Sequence, residues 1–87
     1  MKKNNLTKHW TKKAEDVLLN RKIVKVEYLT KKEANTYMWY SRPVSFILDN
    51  GTRIIAQRDD EGNDGGALWA GLSESTWEIL PVLGLDN

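Results

Sequence analysis

The chain has 87 residues, 40% hydrophobic and 29% charged, with a net charge of +1. That length predicts a single domain, and the absence of cysteine and the lone histidine exclude disulfides and a His/Cys zinc site within one chain. No apolar run approaches the ~18 residues of a membrane span and the start is too polar for a secretory signal, so a cytoplasmic protein without membrane contact is expected.

Residues 1–5 read as a frayed tail. Thr7 is the expected N-cap of a helix running to about residue 19, because Trp10, Ala14, Val17 and Leu18 form one apolar stripe. Asn20 is a fitting stop, since asparagine tolerates the left-handed conformation. Residues 22–29 predict a strand with Val24, Val26 and Tyr28 on one face and Lys25 and Glu27 on the other. Thr30-Lys31-Lys32-Glu33 is a capping-box pattern that predicts a short helix to about residue 37, and Pro43 ends that turn.

Residues 43–48, the turn Asp49-Asn50-Gly51 and residues 52–58 predict a hairpin. A three-residue loop with left-handed Gly51 sets Phe46 opposite Ile54 and Val44 opposite Ala56. That register is preferred because it puts Val44, Phe46, Leu48, Ile54 and Ala56 on one face. Residues 65–69 and 77–80 predict two more short strands, with Pro81 ending the second or sitting at an edge. The expected architecture is α+β. An N-terminal helix packs on a curved antiparallel sheet of four to five strands, and a small open barrel is one way to close it.

Charge is unevenly spread. Residues 1–35 carry ten basic and four acidic side chains, and residues 36–87 carry three and eight. Lys2, Lys3, Lys8, Lys12 and Lys13 precede any acid, and such a front suits phosphate or an acidic protein surface as well as plain solvent.

The least ordinary stretch is the loop Arg58-Asp59-Asp60-Glu61-Gly62-Asn63-Asp64-Gly65-Gly66, with four carboxylates and three glycines in nine residues. Crowded carboxylates repel one another unless a cation sits among them. Calcium or magnesium on Asp59, Asp60, Glu61 and Asp64 is one candidate; Arg58 or a basic group on a partner are others. This is no EF-hand: the glycine that pattern requires falls on Asp64 and its terminal glutamate on Ala70. The alternative is an internally held loop, with Asp and Asn side chains accepting from main-chain amides.

A second cluster is Tyr37-Met38-Trp39-Tyr40-Ser41-Arg42-Pro43. Trp39, Tyr40 and Arg42 suit stacking on a base, a sugar or a proline-rich peptide. The preferred reading gives Trp39 the end of the sheet and Arg42 a surface pairing. Trp10, Trp69 and Trp77 are likewise read as core. His9 has no carboxylate to orient it, no serine lies in a nucleophile elbow, and no phosphate loop is present, so no catalytic residue is predicted.

In order along the chain, Arg21-Lys22-Ile23-Val24-x-Val26-x-Tyr28-Leu29-Thr30, Glu33-Ala34, Trp39-Tyr40-x-Arg42-Pro43-Val44, Leu48-Asp49-x-Gly51-Thr52 and the 58–68 segment resemble a group of small bacterial proteins. Some of that group are encoded on mobile or accessory DNA, and no activity is assigned to it. The resemblance implies a compact accessory domain with loop 58–66 as its hallmark, and it carries over no catalytic residue.

Three functions are weighed. The preferred one is a non-enzymatic binding or interaction module, for a protein partner or for itself as a homodimer, through the opposed charges or an exposed edge strand. Its ligand- or partner-binding candidates are Arg58, Asp59, Asp60, Glu61, Asn63, Asp64, Trp39, Tyr40 and Arg42. The second is nucleic-acid binding through the N-terminal lysines with Trp39, Tyr40 and Arg42, which the small net charge disfavours. The third is a small metal-dependent enzyme using Asp59, Asp60, Glu61 and Asp64.

Overall fold

The computed structural model describes residues 3–85. Helix α1 (Lys3–Leu18) is followed by strand β1 (Ile23–Tyr28), helix α2 (Lys31–Thr36) and strands β2 (Ser41–Arg42), β3 (Val44–Leu48), β4 (Arg53–Ile55), β5 (Leu68–Gly71), β6 (Trp77–Leu80) and β7 (Leu83–Gly84). The fold is α+β with an N-terminal helix and antiparallel strands, as the sequence predicts. The strands fall into three small sheets, β1-β3-β4, β2-β7 and β5-β6, and close no barrel. Among the described residues no helix is long and apolar enough to cross a membrane.

Helix α1 begins four residues before Thr7, so Thr7 lies inside it. No proline or glycine interrupts residues 3–7, and Leu6 extends the stripe one turn before Trp10. Met1 and Lys2, part of the expected tail and basic front, lie outside the described residues. Asn20 takes φ 61°, the left-handed stop expected of it. The stripe itself does not seat on the sheet: Leu6, Trp10, Val17 and Leu18 are all exposed.

The capping box at α2 is complete. The Glu33 N–H donates to Thr30 Oγ1 at 3.1 Å, and Glu33 Oε1 accepts from the Thr30 N–H at 3.0 Å. The helix ends in a Schellman turn. Trp39 N–H donates to Ala34 O and Met38 N–H to Asn35 O, with Met38 at φ 61°. This turn swings Trp39 back over Ala34, and with Leu29 the two form the buried core cluster, against which Ile55 and Leu85 pack.

The hairpin adopts the preferred register. Phe46 pairs with Ile54, Ala56 N–H donates to Val44 O, and Gly51 has φ 89°, a conformation glycine adopts without a Cβ clash. With Val26 opposite Phe46, one sheet face carries Val26, Tyr28, Val44, Phe46, Leu48 and Ile54. The other carries Glu27, Ser45, Arg53 and Ile55, and it is this face that meets the core cluster.

Helix α1 and the β5–β6 hairpin stand away from this centre. Trp69, at 68% exposure, and Trp77, at 54%, face each other at 6.3 Å on the hairpin. Trp10 is exposed too, so only Trp39 of the four tryptophans occupies the core. The reading of Trp10, Trp69 and Trp77 as core is corrected. Their alternating or helical spacing does mark an apolar face, but no other described element covers it. The radius of gyration is 14.9 Å, against about 12 Å for a compact chain of this length. The accessible surface is 6966 Å², about 1,700 Å² above the scaling for a compact monomer.

Candidate functional site

Loop 58–66 and the 39–42 segment, read from the sequence as two clusters, form one. Trp39 Nε1 donates to Gly62 O at 2.7 Å. Asp64 Oδ1 accepts from the Tyr40 N–H and the Ser41 N–H at 3.2 Å each, and from the Ser41 hydroxyl and the Gly65 N–H at 2.8 Å each. The base of the loop is closed by Arg58 N–H on Asp64 O and Gly66 N–H on Ala56 O. Gly65 lies directly on Pro43: a Cβ there would fall 2.6 Å from the proline ring, so a side chain would push the loop away.

Each carboxylate has its own setting. Burial works to raise the pKa of Asp64, but the Ser41 hydroxyl and the amides of Gly65, Ser41 and Tyr40 outweigh it and hold the group below its usual range. Asp59 is lowered chiefly by the Asn63 side-chain amide at 3.0 Å, helped by the Asn63 and Glu61 main-chain N–H groups. Arg58 adds a distant ion pair, its Nε 3.9 Å from Asp59 Oδ2. Asp60 and Glu61 are exposed, and Asp60 borders an open recess with Trp10 and Gln57.

Main-chain N–H groups, the Asn63 side-chain amide and the Ser41 hydroxyl hold Asp59 and Asp64 in this loop. The four carboxylates named as candidates for calcium or magnesium do not converge: among the described residues no three His, Cys, Asp or Glu side chains gather where a metal ion could be held. Asp59 and Asp64 turn their oxygens to different sets of N–H donors. Trp39, at 7% exposure, is core, as preferred. Arg42 donates from Nε to Gly84 O at 3.0 Å and from Nη1 to Leu29 O at 3.4 Å, joining β2 to β7. Of the aromatic cluster only Tyr37 and Tyr40 present rings to solvent, and the Tyr40 main chain abuts the Asp64 carboxylate. Phosphate approaching Tyr40 would meet negative charge there.

A second charged cluster escaped the sequence reading. Arg53 Nη1 donates to Glu33 Oε2 at 2.5 Å, and Nη2 donates to Ser45 Oγ at 3.2 Å and lies 3.8 Å from Glu27 Oε1. Ser45, fully buried, donates from Oγ to Glu27 O at 2.8 Å. The Arg53 guanidinium, followed by the Thr30 N–H, lowers the Glu33 carboxyl to about 2. Arg53 Nε is buried without a partner. The hairpin register puts Arg53 on the face away from Ile54, and the capping box fixes Glu33. Those two signals together point at this pair.

In comparisons with known proteins, no family model, no curated protein and no solved structure matches this chain.

Proposed function

We propose that this chain is a protein-interaction module without catalytic chemistry of its own, and that the β5–β6 hairpin is its main contact surface. One observation carries the reading. Trp69 and Trp77 stand side by side in solvent, with Leu72 and Ile79 exposed on the same hairpin. Exposed tryptophans are costly in a monomer and are the residues that dominate binding energy when a partner covers them. Loop 58–66 serves this reading as a brace. Its amide-held carboxylates and the Trp39 bond fix the segment that leads into β5.

The test is photo-cross-linking from position 69 in extracts of the source cells, with a benzoyl-phenylalanine in place of Trp69. A discrete adduct is expected, lost when Trp77→Ser is added. The Trp69→Ser/Trp77→Ser chain is expected to melt within a few degrees of the parent. Absence of any discrete adduct, or a collapse of stability in the double variant, overturns the reading.

A further inference from the structure

The β1-β3-β4 sheet has two edges, and they are treated differently. Past the end of β4 the chain is paired by loop 58–66, through the Gln57–Gly65 bridge and the Gly66 N–H on Ala56 O. No described residue places a main-chain or side-chain hydrogen bond on the outer edge of β1. The bond from Leu29 N–H to Pro43 O fixes the alternation along β1. The main-chain groups of Lys25 and Glu27 turn toward β3, so those of Val26 and Tyr28 turn outward.

This edge lacks most of the devices that keep edges apart. Ile-Val-Lys-Val-Glu-Tyr contains no proline or glycine, and Val24 and Val26 are 62% and 63% exposed. A bulge at Val24 limits pairing at the N-terminal end and leaves the rest straight. Lys25 is the single edge-guarding charge, and Glu27 sits two residues on, 3.5 Å away on the same face.

We infer that β1 pairs antiparallel with β1 of a second copy, about a two-fold axis through Val26, joining the two three-stranded sheets into one of six strands. The charges select that register. With Val26 opposite Val26, Lys25 of each copy stands opposite Glu27 of the other, and Val24 stands opposite Tyr28. A register centred on Lys25 sets lysine against lysine, and one centred on Glu27 sets glutamate against glutamate; both are repelled. The outward main-chain groups of Val26 form the central hydrogen-bonded pair, and the Lys25–Glu27 pairs occupy the closer, non-hydrogen-bonded positions on either side. The apolar face of Val26, Phe46 and Ile54 becomes continuous across the axis. This inference goes beyond the hairpin reading, since both the surface and its occupant differ.

Sedimentation velocity on the full chain is expected to show a reversible dimer at tens of micromolar. Lys25→Glu is expected to weaken it about tenfold and Glu27→Lys similarly. Mixing the two variants restores a heterodimer in which every charge again meets its opposite. Circular dichroism establishes that both variants are folded. Val26→Cys supplies a measurement independent of charge: in a chain otherwise free of cysteine it is expected to form an interchain disulfide on mild oxidation, and Ser75→Cys is not. A monomer at every concentration overturns the inference, as does a dimer indifferent to Lys25→Glu and not captured by Val26→Cys. A monomer that still gives the position-69 adduct removes self-pairing alone; a dimer captured at position 26 without that adduct removes the hairpin reading alone.

Discussion

Loop 58–66 and the Arg53 cluster are both concentrations of charge, and they are held in opposite ways. In the loop, like charges lie close along the chain; Asp59 is satisfied by donors within four residues and Asp64 by Gly65 and the adjoining 40–41 segment, while Asp60 and Glu61 are exposed. In the Arg53 cluster, opposite charges come from α2, β1 and β4, and each meets its partner only when those elements assemble. The loop can keep its internal shape through small movements of the fold. The Arg53 cluster reports directly on whether α2 is docked on the sheet.

The largest way to break this contrast is Trp39→Ala, because Trp39 bonds the loop at Gly62 and packs on Ala34 of α2, the helix that carries Glu33. It should cost about 3–5 kcal/mol in a denaturant titration, the usual loss for a buried tryptophan. Trp39→Phe should keep much of the packing while losing the bond to Gly62, and cost about 1 kcal/mol.

Arg53→Met should cost about 2 kcal/mol, discounted from a fully buried pair because roughly a third of each side chain is open to water. Acid sharpens the same point. The folded Glu33 carboxyl titrates near 2, below its unfolded value, so its stabilising contribution is complete above about pH 4.5 and lost as pH falls toward 2. Urea midpoints measured between pH 5 and 2 should fall less steeply for Glu33→Gln than for the parent chain. Equal slopes would mean the Arg53 pairing does not form.

In the loop, Asp64→Ala should cost about 1–2 kcal/mol, since it strands the amides of Tyr40, Ser41 and Gly65. Asp60→Ala, at an exposed position, should change stability by less than about 0.5 kcal/mol. Equal effects from the two would show that crowding, and not donor geometry, governs the loop. One substitution is expected to be a gain. Met38 holds a left-handed conformation at the Schellman turn, and Met38→Gly should raise the melting temperature, with about 1 kcal/mol of stabilisation.

Much of the fold was legible because local chemistry decided it. The Thr30 capping box, the Asn20 stop and the Gly51 hairpin register depend on residues within a few positions of one another. Loop 58–66 was legible as a place but not as a mechanism. Carboxylates are visible in a sequence, whereas the amides that hold Asp64 belong to the backbone and carry no letter of their own. The Arg53–Glu33 pair spans 20 residues and emerges only when two separate turns are combined. The tryptophans of β5 and β6 misled for a deeper reason. Alternation shows that one side of a strand avoids water, and it reads the same whether the cover comes from this chain or from another.

Among the described residues, the hairpin that carries Trp69 and Trp77 is fastened near its base. The Tyr28 hydroxyl donates to Pro81 O at 2.8 Å, and Arg42 grips Gly84 as β2 pairs with β7. On the other side Gly66 N–H bonds Ala56 O, so the hairpin runs between held ends. The segment from 69 to 77 is thus a natural cartridge: a foreign recognition peptide spliced there would inherit a set direction from the rest of the scaffold.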